Sequence, residues 1–138
     1  MMRSTFWILL LFGLGSGLGL SFQRPVAVQS KWKAPAWADT LKNPYANRVE
    51  EALKMGERIY QQQCAVCHGP RGRGDGPAGM ALNPRPADLT SKAVQAQTDG
   101  ALFWKISEGR GAMPAFKGML SEAERWQVVT YVRTLARK

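Results

Sequence analysis

Apolar positions fall along the chain in three regimes. From Phe6 to Phe22 they form a nearly continuous run, headed by Phe6-Trp7-Ile8-Leu9-Leu10-Leu11-Phe12-Gly13-Leu14, preceded by Arg3 and broken mainly by glycine and serine. A short basic start followed by about 17 apolar or small residues has the layout of an export signal and lies at the low edge of what crosses a bilayer. A cleaved signal and a retained anchor both fit residues 1–22, because neither Gly19-Leu20-Ser21 nor Val26-Ala27-Val28-Gln29 makes a clean cleavage site. Residues 23–49 follow with neither a helical nor a strand period. Trp32, Pro35, Trp37 and Pro44 mark them as an extended linker whose aromatics lie against the domain or against a partner.

From Glu50 the period changes. Ala52, Leu53, Gly56, Ile59 and Tyr60 recur at three and four, which predicts a helix, with Asn47 as its N-cap. The stretch Gly69 to Asp88 is dense in glycine and proline and predicts a long irregular loop. Such a loop is functional or disordered, and here something has to hold it. Leu102, Phe103 and Ile106 share one side of a predicted helix over Asp99 to Glu108, stopped by Gly109. Ser121 with Glu124 three residues later forms a capping box that opens the last helix. That helix carries Trp126, Val128, Val129, Tyr131, Val132 and Leu135 and is predicted to reach about Ala136. Nothing reads as a strand. The pattern predicts an all-α domain over residues 50–138, with more irregular backbone than so small a core supports unless a large apolar object supplies the missing interior.

Composition changes the picture only a little. The formal net charge is +9 and the pI about 10.1, without a polybasic arm, so nucleic acid is not suggested. A basic surface suits an acidic protein partner or an anionic membrane face, and also serves solubility alone.

The chemistry is concentrated in five residues. Cys64-Ala65-Val66-Cys67-His68 holds both cysteines and the one histidine of the chain. A thioredoxin-like dithiol needs a strand before it and a sheet around it. A zinc site needs four ligands, and the chain offers three soft ones. A disulfide over so short a loop is awkward and leaves His68 unused. Cys-x-x-Cys-His is the attachment signature of a c-type haem. Two thioethers pin the porphyrin edge, and the residue after the second cysteine is carried under the ring, where its imidazole reaches iron. An exported chain would work outside the reducing cytosol, where such a pair has a use.

With this motif in place, residues 50–138 resemble the small monohaem cytochromes c of class I. The resemblance implies a class I cytochrome c-like fold, helices and long loops wrapped around one covalent haem c. It pairs Gly56 and Tyr60 of the first helix with Tyr131, Val128 and Leu135 of the last. It makes Gly69-Pro70-Arg71-Gly72-Arg73-Gly74-Asp75-Gly76-Pro77 the haem-edge loop and Leu82-Asn83-Pro84-Arg85-Pro86-Ala87-Asp88-Leu89 its sequel. One proline of that sequel, Pro84 or Pro86, is expected to offer its carbonyl to the His68 ring. Gly109-Arg110-Gly111-Ala112-Met113-Pro114-Ala115-Phe116 resembles the family's methionine loop, so His68 and Met113 become the expected iron ligands. Met80 and Met119 are the rival sulfurs, and Met55 falls in the first helix. Trp104, beside Phe103, is expected as a pocket wall. Arg85 is expected beside the ring, with a weaker claim for Lys105 and Arg110 near a propionate.

The implied function is one-electron transfer, with no residue acting as acid, base or nucleophile and no small-molecule substrate at iron. The favoured setting is the cytochrome c subunit of a membrane-associated respiratory or dehydrogenase complex. It would lie on the periplasmic side of the bacterial inner membrane, anchored or complex-bound, and meet redox protein partners with acidic surfaces. A freely diffusing periplasmic carrier is the alternative, followed by a sensor or peroxidase-like haem with a labile sixth ligand.

Overall fold

The computed structural model describes residues 32–137. Helix α1 (Val49–Ile59) continues without a break into a π-helical turn, Tyr60–Cys64, and then into the short α2 (Ala65–His68). The glycine-rich segment carries one 3-10 turn, Gly79–Ala81, and is followed by α3 (Lys92–Gln95), α4 (Asp99–Glu108) and α5 (Glu122–Thr134). Among the described residues there is no strand; the nearest approach to one is an isolated bridge between Arg110 and Met113.

The frame is the crossing of α1 and α5. Ala52, Gly56 and Ile59 form the buried stripe of α1, and they meet Val128, Val129 and Val132 of α5. Tyr60 closes the stripe, fully buried and 5.1 Å ring to ring from Tyr131. The pairing that the resemblance implies between first and last helices is therefore present. Helix α4 joins through Phe103, which stacks on Trp126 at 3.9 Å and 14°.

Helix boundaries follow the punctuating residues. Thr98 caps α4 by accepting from the Ala101 N–H, and Gly109, at φ 64°, ends it in a conformation that glycine adopts without penalty. The capping box at Ser121 and Glu124 is complete. The last helix stops at Thr134, two residues short of the predicted end. Asn47 is not the cap of α1: that position is Arg48, which makes no side-chain cap bond. The asparagine that captures backbone is Asn43, whose Oδ1 accepts from Tyr45 N–H in the preceding turn at 2.9 Å.

Residues 32–48, expected as part of an extended linker, instead pack on the domain and include a 3-10 turn, Ala36–Thr40. Ala38 is 0% exposed. Its carbonyl lies so close to Gly100 of α4 that a Cβ there would sit 1.9 Å from the oxygen. Thr98 donates to Asp39 at 2.6 Å, and the Asn43 amide donates to Asp99 and to Thr130 at 2.9 and 3.1 Å. Residues 1–22, and residues 23–31 of the expected linker, lie outside the described residues.

At the other end, Arg137 donates to Asp88 at 2.5 Å and to the Thr90 hydroxyl at 2.8 Å, tying the chain terminus to the segment after the glycine loop. The Asp88 carboxyl is held below its usual range, chiefly by the Thr90 hydroxyl and also by the Thr90 N–H, Arg137 and Arg73. A folded value below the unfolded one, about 3.9, means that the stabilisation is complete above that pH and is lost as pH falls through the lowered folded value. Asp88→Asn is accordingly expected to melt below the wild type at neutral pH, with the gap closing towards about pH 3. Thermal melts across that range check it; a gap that is constant with pH would contradict it.

Candidate haem site

The π-helical turn delivers Cys64 at its last position, and α2 carries Cys67 and His68. Both cysteines are free thiols, half-buried. Burial, with the neighbouring Cys67, pushes the Cys64 thiol up to about 12, so it is held protonated. Among the described residues, no three His, Cys, Asp or Glu side chains converge on one point.

His68 is oriented by backbone. Its Nδ1 lies 3.0 Å from the Ala87 carbonyl oxygen. A carbonyl only accepts, so Nδ1 carries the proton and Nε2 keeps its lone pair. Burial pushes the His68 pKa down, partly offset by the Ala87 bond, which leaves a neutral ring with one free donor nitrogen. The acceptor is thus Ala87, not Pro84 or Pro86 as expected. The Pro86 carbonyl is turned towards Gly74, where a Cβ would come within 2.5 Å of it.

The glycine loop is folded back over α2 and satisfies its last carbonyls. Gly74 donates to His68 at 2.8 Å, Gly76 to Cys67 at 3.1 Å and Ala78 to Val66 at 3.0 Å. Gly74 has φ 74°, and at Gly79 the backbones touch so closely that a Cβ would lie 2.2 Å from the Cys67 oxygen. Tyr60 donates its hydroxyl to the Gly69 carbonyl at 2.8 Å, pinning the start of the loop. The loop that the sequence leaves needing support is held by backbone bonds to the motif itself, by Tyr60 and by Leu89 N–H on the Gly72 carbonyl at 2.7 Å. Pro86 rides over Gly79, while Pro84 and Arg85 are exposed.

On the methionine side, Gly109 turns the chain out of α4 and presses against Met113 and Pro114, with a Cβ there only 2.5 Å from either carbonyl oxygen. Arg110 and Met113 exchange two backbone bonds, at 2.9 and 3.0 Å. Met113 is half-buried, whereas Met80 is 51% and Met119 60% exposed. Trp104 is half-buried and tilted against Trp32 at 6.2 Å. Lys105 bonds to the Gln97 carboxamide, and both it and Arg110 lie over the Trp32 ring. Trp32 is legible in the sequence only as an unassigned aromatic; no local period places it here.

These residues fit a haem. Two free thiols precede a neutral imidazole with a free lone pair, the donor set that thioether attachment and axial ligation require. The core is small, and its large side chains that are fully buried among the described residues are Tyr60, Val128 and Val129. Cys64, Leu89, Phe103, Ile106 and Leu120 border the core without being covered by it. When bound, the haem supplies one-electron exchange between ferric and ferrous iron.

The chain is similar to known proteins. The family model for cytochrome C oxidase, cbb3-type, subunit III matches residues 51–132. The chain is 34% identical over 83 residues to cytochrome c6 of Leptolyngbya boryana, covering 60% of this chain and 92% of that protein. It is 34% identical over 82 residues to the cbb3-type cytochrome c oxidase subunit FixP of Bradyrhizobium diazoefficiens, covering 58% of this chain and 26% of FixP. Among solved structures, a chain of the Kuenenia stuttgartiensis reducing HAO-like protein complex is similar at TM-score 0.56 and 30% identity, over 64% of this chain and 45% of that one. A helical domain built around Cys64-Ala65-Val66-Cys67-His68, matched over most of its length, leaves one assignment: the chain belongs to the cytochrome c oxidase, cbb3-type, subunit III family, as a class I monohaem cytochrome c domain that carries one covalent haem c and transfers electrons.

Proposed function

We propose that Cys64 and Cys67 form the two thioethers, that His68 Nε2 and the Met113 sulfur are the axial ligands, and that the chain is the haem c subunit of a membrane-associated respiratory or dehydrogenase complex on the periplasmic side. The observation that carries the site is the His68–Ala87 bond, which leaves Nε2 of the one histidine as a lone-pair donor beside both thiols. Met113 is favoured over Met80 and Met119 because it is the least exposed of the three. With both axial positions filled by protein, no small molecule reaches iron without displacing a ligand.

The remaining chemistry is electron passage through the ring edge. Arg71 and Arg73 are exposed on the glycine loop, Val66 is exposed within the attachment motif, and Met80 is exposed on the turn after the loop, so basic and apolar side chains are exposed around the motif in sequence. They suit a redox partner with an acidic rim, bound briefly and steered by charge. Trp104 serves as a wall of the pocket, with Pro86 and Arg85 on the opposite loop.

Membership of a complex rests on the family match to an oxidase subunit and on the apolar run Phe6 to Phe22. Residues 32–48 no longer add to it, since they serve the domain itself. Among the described residues no helix is long and apolar enough to cross a membrane; in this reading the apolar run Phe6 to Phe22 is the anchor. A diffusing carrier is the second reading, favoured by the domain's covering 92% of a cytochrome c6. Solubilising native membranes in mild detergent separates them. Stoichiometric co-migrating subunits with an uncleaved amino terminus support the complex; recovery alone in the soluble exported fraction overturns it.

A further inference from the structure

Trp32 touches three parts of the methionine side at once. Its ring centroid lies 6.2 Å from that of Trp104, the Lys105 ammonium is 5.4 Å from the ring centre, and the Arg110 guanidinium is 5.8 Å from it. Trp104 and Lys105 belong to α4; Arg110 belongs to the turn beyond it. Through its two backbone bonds, Arg110 is locked to Met113. One indole therefore bridges the helix and the turn that carries the sulfur.

Arg110, Gly111, Ala112, Pro114 and Ala115 are all exposed. The nearby Lys117–Glu108 ion pair, at 2.8 Å, is also exposed, and such pairs contribute little. Exposed backbone with glycines on either side of Arg110 opens easily. Trp32 itself is fixed from the other side, because the segment it begins is pinned by Ala38 under Gly100 and by Asn43 on Asp99 and Thr130.

We propose that Trp32 is a positioning residue for the sixth ligand: it holds the Arg110–Met113 turn against α4 and so keeps the Met113 sulfur on iron. The proposal rests on the reading of Met113 as axial ligand. Removing one ring–ring pair together with two cation–ring interactions shifts a sulfur-on, sulfur-off equilibrium by roughly tenfold.

The test uses the haem-loaded full chain and follows the sulfur-to-iron charge-transfer absorption, carbon monoxide uptake and the thermal melt. Trp32→Ala is expected to raise the fraction that takes up carbon monoxide about tenfold and to weaken the absorption. Trp32→Phe, which keeps a ring, is expected to fall between it and wild type, and decides the matter if the alanine variant does not fold. Trp37→Ala, on the same segment but 57% exposed, is expected to change neither signal. An intact wild-type absorption that Trp32→Ala and Trp32→Phe leave unchanged overturns the positioning role alone, as does an equal effect from Trp37→Ala. A wild-type protein that already takes up carbon monoxide stoichiometrically overturns the Met113 reading and this role with it.

Discussion

Gly56→Ala is expected to destabilise the haem-loaded protein by about 2 kcal/mol or more, a fall in melting temperature of roughly 10 °C. Two effects oppose each other at this position. Alanine is the better helix former and by itself would stabilise α1 by about 1 kcal/mol. Its Cβ, however, would sit 2.1 Å from the Gln127 carbonyl oxygen, 2.7 Å from that carbon and 3.1 Å from the Tyr131 Cβ. The first two are backbone atoms of α5, so no rotamer change relieves the clash and the helices have to separate. Separation uncovers Tyr60, Val128 and Val129, the large side chains that are fully buried. Gly118→Ala is the control, since nothing lies within 4 Å of a Cβ there. Paired thermal melts check the contrast, and a Gly56→Ala protein that melts at or above wild type would contradict the close crossing.

Met113→Ala is expected to change function most while sparing the fold. The side chain is half-buried in a largely exposed turn, and the backbone pairing of Arg110 with Met113 does not need the sulfur. On the proposed Met113 ligation, removing the sulfur opens the sixth position, so the charge-transfer absorption is expected to disappear and the ferrous protein to take up carbon monoxide. A thioether ligand favours the ferrous state. The potential is therefore expected to fall by on the order of 0.2 V, within the range of about 0.8 V that axial ligands span. Potentiometric titration of wild type and variant checks it. Met80→Ala and Met119→Ala, more than half exposed, are expected to leave the potential in place. A potential that follows Met80 or Met119 instead would transfer the role.

How much of the fold is readable in the sequence depends on what fixes each element. Helix α4 is legible to the residue, because Gly109 supplies the conformation that ends it and its apolar side is periodic. The capping box locates the start of α5, while its end comes two residues early, where no glycine or proline marks a stop. The crossing partners Gly56, Tyr60 and Tyr131 come from the family resemblance and sit together as it implies. Residues 32–48 read as a linker because their structure is tertiary: it depends on Asn43, Asp39 and Ala38 meeting partners some 56 to 87 positions away, which no local period records.

The site divides the same way. The attachment motif is legible because its chemistry resides in side chains at a fixed spacing, and that spacing alone sets the order of thiols and imidazole. The acceptor for His68 is not, because every residue carries a carbonyl and only the path of the chain past Gly74 decides that Ala87 faces the ring. Trp32 is invisible as a neighbour of the methionine turn for a third reason. Its neighbours Trp104, Lys105 and Arg110 lie some 70 or more positions along the chain, and they meet it only through the docking of the N-terminal segment on α4.

The central claim is a single haem bonded through Cys64 and Cys67. Denaturing intact-mass analysis of the purified native protein, followed by fragmentation of the peptide containing residues 64–68, tests it most directly. The expected result is the polypeptide mass plus one haem, surviving acid denaturation, with the added mass confined to that peptide. A polypeptide mass without addition, or haem released by acid, would contradict it.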